Sequence, residues 1–437
     1  MQPTDRTAKG LQESAVVGAD APSAMQTLAL VGGALVVGGL TGLTGVAFLK
    51  ALTAGLGLWS DLTSHLALWP PVLAWLASAS LVALVATAAA AMVKKWAPNA
   101  GGSGVPYVER ILRTDEVPCH AHVLPVKFLG GLLALSSGML LGREGPLVQM
   151  GSVIGERCGR LLGSIPGAWK ALMMAGAGAG MATAFNAPVG GTLFVLEEVQ
   201  RKVTPLAFLL AATATTASAW VQRAVFHYGP DFTFSLPAPP DAASIGLFAL
   251  LGLLCGGLGS AYNLLLLALA RPKRPLLSWP VQAALIGFVV GTAGWIHPDW
   301  SGGGDALTQK LLSGASGGVL VLLAVRFLLG PLSYAAGTPG GLFAPVITLG
   351  ALTGLAFSML PAAFFPNLAL PPTAFAVAGM AAFFTASIRA PLTGIVICLE
   401  LTGGIDLFYP LLASCAGAFL VPTLLRNEPI YDALAQK

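Results

Sequence analysis

Gly142-Arg143-Glu144-Gly145-Pro146 meets its counterpart 199 residues later in Gly341-Leu342-Phe343-Ala344-Pro345. The same offset carries Lys127-Phe128-Leu129 onto Arg326-Phe327-Leu328, Gly138 onto Gly337, Gly151 onto Gly350 and Gly155 onto Gly354. Farther on, Ala187-Pro188, Gly191 and Leu196-Glu197 fall on Ala390-Pro391, Gly394 and Leu399-Glu400 at an offset of 203. A glycine-rich composition aligns a few glycines by chance, but it does not hold one offset over such a span and then recover Ala-Pro and Leu-Glu. The chain is therefore a duplication, with two halves of about 200 residues each.

What surrounds the repeat is apolar. The 437 residues are 55% hydrophobic and 10% charged, with a mean hydropathy of +0.78; a typical soluble domain carries about 25% charged residues. Charge-free windows span 25–49, 66–93, 171–196, 203–222, 242–270 and 327–388, each long enough for the roughly 20 residues of a membrane-crossing helix. These runs do not alternate, which excludes a transmembrane barrel. The fold class is an all-α polytopic membrane protein. With 54 glycines and 31 prolines, some helices are expected to be broken and only partly spanning, as occurs where backbone lines a cavity. That favours a transporter or channel over a receptor, an anchor or an enzyme. A net charge of +4 without a basic run excludes a nucleic-acid partner. Neither the five cysteines nor the histidines have metal or disulfide spacing, and no cofactor is expected.

The organisation follows. Residues 1–24 form a polar tail, and the apolar stretch after them is too long for a signal-peptide core. Residues 25–425 form the transport domain, the first repeat being about 25–226 and the second about 242–425; 426–437 are a short polar end. Windows 25–49 and 66–93 read as a helical hairpin. Arg6 and Lys9 before it, Lys94 and Lys95 after it and the basic loop 271–274 put both chain termini in the cytoplasm by the positive-inside rule, in the cell's inner membrane. An odd number of crossings per half would make the repeats inverted, which places a site near the midplane at their interface.

Each half carries a glycine-rich break followed by a helix, 147–155 in the first and 346–354 in the second. Proline suits the first turn because it has no N–H to leave unpaired. The free N–H groups there, at the positive end of the helix dipole, can hold an anion without a cationic side chain. Glycine lets the ion approach the backbone. Gly102-Ser103-Gly104-Val105-Pro106 offers a third such terminus and a hydroxyl. Binding by partial charges is weak enough to permit exit, which conduction requires.

The halves also differ. Glu144 falls on Phe343 and Glu198 on Leu401, whereas Glu197 has a partner in Glu400. Glu197 and Glu400 therefore read as shared structural helix-end residues, and Glu144 and Glu198 as carboxylates special to the first half. An ionised Glu144 can occupy an anion site and, once protonated, leave it. A carboxylate at membrane depth is a functional residue by default.

Gly-Ser-Gly-Val-Pro (102–106), Gly-Arg-Glu-Gly-Pro (142–146), Gly-Leu-Phe-Ala-Pro (341–345) and the late Tyr431 together resemble the signature set of the chloride channel and chloride/proton exchanger (CLC) family, over roughly residues 25–437. The resemblance implies two inverted halves, a homodimer in the lipid bilayer with one pore per subunit, and chloride and protons as substrates. It implies that chloride is held by the Ser103 and Tyr431 hydroxyls and the Leu342 and Phe343 N–H groups, with Gly102, Arg143 and Gly145 completing the site. Glu144 would be the external gate and Glu198 the internal proton-transfer residue of the exchanger branch. Serine at position 103 resembles chloride-selective members; Val105 departs from a common isoleucine. The chain ends too early for the nucleotide-binding domain pair of larger members.

Plainer readings stand beside these. Glu144 could pair with Arg143, Glu198 could be a charged helix end, Ser103 an N-cap and Tyr431 an interfacial tyrosine. Glu109, Glu116 and Glu156 read as solvated charges. A passive chloride channel fits the same scaffold. An intramembrane serine protease using Gly-Ala-Ser-Gly (314–317) is disfavoured because no histidine follows His297.

Overall fold

The computed structural model describes residues 22–114, 122–226, 230–236, 240, 244–271, 277–315, 317–364 and 371–436. The first half comprises α1 (Ala24–Leu66), α2 (Pro71–Trp96), α3 (Val105–Thr114), α4 (Val123–Ser136), α5 (Glu144–Leu161), α6 (Ala168–Phe185), α7 (Pro188–Phe194) and α8 (Pro205–Val225). The second comprises α9 (Ile245–Ala270), α10 (Trp279–Ile296), α11 (Asp305–Leu312), α12 (Val319–Ala335), α13 (Phe343–Phe364), α14 (Pro372–Ile388), α15 (Pro391–Thr402) and α16 (Phe408–Leu424). The short α17 (Ile430–Ala435) follows. Among the described residues, six helical stretches are long and apolar enough to cross a membrane, whereas α4, α12, α14 and α15 are apolar but shorter. The fold is all-α, with partly non-spanning helices.

The halves correspond helix for helix, and the contacts between them are reciprocal. Gly142 N–H donates to Gly341 C=O (2.9 Å) and Gly341 N–H donates back to Gly142 C=O (2.7 Å), an antiparallel bridge between repeat-equivalent residues. Glu197 accepts from the N–H groups of Leu392 and Thr393 at the start of α15 (3.1 and 2.7 Å), and Glu400 accepts from Val189 and Gly190 at the start of α7 (3.1 and 2.7 Å). Each carboxylate thus caps the first turn of the opposite half's helix, where free N–H groups and the dipole favour negative charge. Self-pairing of equivalent residues is the mark of a two-fold relation; the two halves are inverted about it.

Packing relies on small residues, as expected where lipid supplies no hydrophobic drive between helices. Gly151 and Gly176 bring α5 against α6 through backbone, and Gly350 and Gly379 do the same for α13 and α14. The expected hairpin of the first two windows does not form. α1 packs mainly on α8, α6 and α5, and α2 on α10 and α4. The reason lies in where the glycines fall: Gly38 and Gly42 of α1 abut Ala214 and Ser218 of α8, while Gly287 and Gly291 of α10 abut Ala83 and Ala79 of α2. α1 also continues to Leu66, about 65 Å at 1.5 Å per residue. This is roughly twice the hydrocarbon thickness.

Two buried cations hold equivalent loops. Lys127 Nζ donates to the carbonyls of Ala100 (3.1 Å) and Gly102 (2.6 Å). Arg326 donates to those of Asp299, Ser301 and Gly302 (2.8, 3.0 and 2.7 Å).

Candidate functional site

α5 and α13 begin three residues earlier than expected, at Glu144 and Phe343, so the break residues themselves form the first turns. The two starts converge at the Gly142–Gly341 bridge. Glu144 is fully buried, and its Oε1 accepts from the Phe343 N–H at 2.7 Å. The carboxylate of one half therefore lies on the N-terminus of the other half's helix. Side chains on Gly142 or Gly341 would collide with it. Gly145 packs as closely, against the Ser103 carbonyl and Gly341. Glu144 Oε2 has no hydrogen-bond partner among the described residues.

Phe343 sits in an aromatic cluster, 4.6 Å from Phe384, 5.7 Å from Phe194 and 6.0 Å from Phe185 between ring centroids, and it stacks on Tyr431 at 5.9 Å. Leu342, like Phe343, is buried. Ser103 is held from the other side. Gly102 and Gly104 adopt left-handed φ of 63° and 86°, a conformation only glycine takes freely, and Lys127 fixes the Gly102 carbonyl. Ser103 N–H donates to Tyr334 Oη at 3.4 Å. The Ser103 and Tyr431 hydroxyls are both fully buried and lie near each other, and neither makes a well-formed hydrogen bond to a described residue. Leaving a buried polar group unpaired costs about 1–3 kcal/mol, so two such hydroxyls beside a helix N-terminus suit a desolvated anion. Ser103 Oγ does not cap α3. A cavity of about 470 Å³, lined in part by Lys94, Arg110, Arg271, Gly102, Gly104 and Tyr334, reaches the backbone on either side of Ser103.

Tyr431 is within electrostatic range of both Glu144 and Glu198. α7 does not run on regularly through Glu198. Residues Val195–Val199 form a π turn, closed by Gln200 N–H to Val195 C=O at 2.8 Å, a distortion common at functional sites. Glu198 is buried, and the buried Glu109 of α3 lies within electrostatic range of it. The expectation that Glu109 and Glu156 are solvated is overturned. Glu109 lies on the inward face of α3 beside Arg113 (3.4 Å), and Glu156 is buried on α5 against Arg160 and Arg157. Glu116 lies outside the described residues, as does Ser316 of the protease reading.

Arg143 does not pair with Glu144. Its guanidinium bonds Asp231 at 2.7 Å, in the connection between the halves. The structure thus brings Ser103, Gly102, Glu144, Gly145, Leu342, Phe343 and Tyr431 together, with Arg143 turned to Asp231 and Glu198 within electrostatic range of Tyr431. Sequence reasoning missed Tyr334, Glu109 and Asp231. It also missed the second-half match to the serine loop, Ser301-Gly302-Gly303-Gly304, whose Gly302 and Gly304 share the left-handed φ. That offset of 200 was available in the sequence.

Comparisons with known proteins agree with this architecture. The family described as "Voltage gated chloride channel" matches residues 82–423. The chain is 37% identical over 425 residues to the H(+)/Cl(-) exchange transporter ClcA of Vibrio cholerae, covering 92% of this chain and 88% of that one. It is 36% identical over 417 residues to the protein of the same name from Citrobacter koseri, covering 93% and 88%. Among solved structures, a slow cyanobacterial Cl-/H+ antiporter superposes with a TM-score of 0.88 at 31% identity, over 93% of this chain and 97% of the other. The chain belongs to the voltage-gated chloride channel family.

Proposed function

We propose that this protein exchanges chloride for protons across a membrane. The observation that carries the reading is the Glu144 carboxylate accepting the Phe343 N–H at 2.7 Å: the side chain stands where an anion bound at that helix terminus would stand. Anion and carboxylate then compete for one site. Protonation removes the carboxylate's charge and its hold on the dipole, letting it swing out and chloride move in. Chloride is held by the Ser103 and Tyr431 hydroxyls and the Leu342 and Phe343 N–H groups, in the frame made by Gly102, Gly145 and Arg143. Glu198 passes protons between the inner solution and Glu144. The relatives named as exchangers support coupling to protons. We further propose a homodimer in the inner membrane with both termini cytoplasmic, the transport domain spanning 25–425.

Proteoliposomes test this with parallel chloride and proton fluxes for the wild type, Glu144→Gln and Glu198→Gln. A chloride gradient should drive proton movement in the wild type, and each substitution should reduce proton flux to background. Chloride flux without proton flux in the wild type would make the protein a passive channel and end the exchange reading.

A further inference from the structure

Outside the buried Glu109–Glu198 pair lies a bridge that the exchange cycle above does not use. Asp432 of α17 bonds Arg113 of α3 at 2.7 Å through one oxygen and Arg201 at 2.6 Å through the other. Arg113 turns back to Glu109 at 3.4 Å, and Arg201 to Glu198 at 3.4 Å. Arg201 also donates to the Glu198 carbonyl at 3.1 Å and takes a left-handed φ of 56° to do so. One carboxylate on a late helix thereby ties together the two arginines that touch the two buried glutamates.

The charges do not balance when all five groups are ionised. Three carboxylates face two guanidiniums, leaving one net negative charge. The network becomes neutral when the glutamate pair holds a single proton. Buried like charges repel strongly, and an unpaired buried charge is costly, so balance favours one bound proton. Asp432 makes this so by sharing both arginines with the glutamates, at the shorter distance. We infer that Asp432, with Arg113 and Arg201, meters proton uptake from the inner side by keeping the Glu109–Glu198 pair poised around one proton. These are positioning residues, acting through the glutamates; the inference rests on the exchange reading. Among the described residues, Arg110 and Glu428 line the adjacent cavity with Arg113 and Asp432, and Arg271 donates to the Ala433 and Leu434 carbonyls of α17. The buried phenol of Tyr431, on α17 itself, lies within electrostatic range of Glu198.

The test measures proton flux against internal pH in proteoliposomes, with chloride flux alongside. Asp432→Asn leaves both arginines to the glutamates, so loading a proton needs more acid. The proton-flux profile should move about one pH unit toward acid, the scale of a charge at this range, and at neutral pH proton flux should fall more than chloride flux. Arg201→Gln should move the profile the opposite way, and the double variant, which restores the net charge, should return it toward wild type. A merely structural role for α17 gives equal losses of both fluxes and no reversal of sign. Shifts in one direction for all three variants, or an Asp432→Asn profile superimposed on wild type, would overturn the inference. If Asp432→Asn does not fold, Arg201→Gln and Arg113→Gln carry the same test, both shifting toward alkaline pH. A wild type that moves chloride without protons fails the exchange reading and removes the basis for this one.

Discussion

Both halves open their central helix on a glycine and place a proline in the first turn, and of the three residues that differ between those two, one pair sets the helix starts apart most. In the first half the residue is Glu144, whose side chain crosses to the other half's helix start. In the second it is Phe343, whose ring packs among Phe185, Phe194, Phe384 and Tyr431. What the halves share is scaffold: the Gly151 and Gly350 crossings, the Lys127 and Arg326 loop anchors, and the Glu197 and Glu400 caps. What they do not share is the chemistry. Duplication supplied a two-fold frame, and one half was altered to use it.

Each shared element can be removed in one half and then in the other. Lys127→Met and Arg326→Met should cost most, because each strands at least two buried carbonyls at about 1–3 kcal/mol apiece; thermal unfolding in detergent would read the loss. The two should differ in chloride binding. Lys127 holds the loop bearing Ser103, so its loss should weaken chloride affinity about tenfold, ~1.4 kcal/mol, while Arg326→Met leaves it near wild type. Equal weakening by both would dissolve the division between scaffold and chemistry.

A smaller effect is expected at the crossings. A methyl group at Gly151 would meet the Gly176 carbonyl, and one at Gly350 the Gly379 carbonyl. Gly151→Ala and Gly350→Ala should each destabilise by about 2 kcal/mol, the usual cost of overpacking. The losses should match, since the contacts are equivalent. A loss confined to one half would show that the crossings do different jobs.

The smallest effect belongs to the caps. Glu197→Ala and Glu400→Ala each remove a carboxylate that accepts two N–H groups, a change of about 1 kcal/mol for a helix cap. Matched shifts in unfolding temperature are expected. An unmatched pair would mean that one carboxylate does more than cap.

The repeat, the helical membrane class and the helix breaks were legible in the sequence because glycine, proline and apolar runs report local backbone needs. So was the pairing of Glu197 with Glu400, though not its partner. Each carboxylate reaches a helix start about 200 residues away, and no local pattern encodes that distance. The divergence of α1 from α2 was hidden for a related reason. Small residues mark a helix face as able to pack closely without naming the neighbour. Glu109 was misread because a carboxylate on a short polar helix looks the same whether it faces water or another carboxylate. Asp432, in a tail that reads as polar filler, gains its meaning only from two arginines brought to it by other helices.

The Gly142–Gly341 bridge has a consequence for why this is one chain. Reciprocal hydrogen bonds between equivalent glycines put the symmetry axis through that pair, within a side chain's reach of the proposed anion site. In an assembly of two identical half-length chains, any carboxylate at the position of Glu144 would occur twice and converge on itself across the axis. Two negative charges would then face each other in the space meant for one anion, at a repulsion that grows as the site dries. Joining the halves in a single polypeptide frees each position near the axis to be filled independently, so a single ionisable group can stand where perfect symmetry would demand two or none.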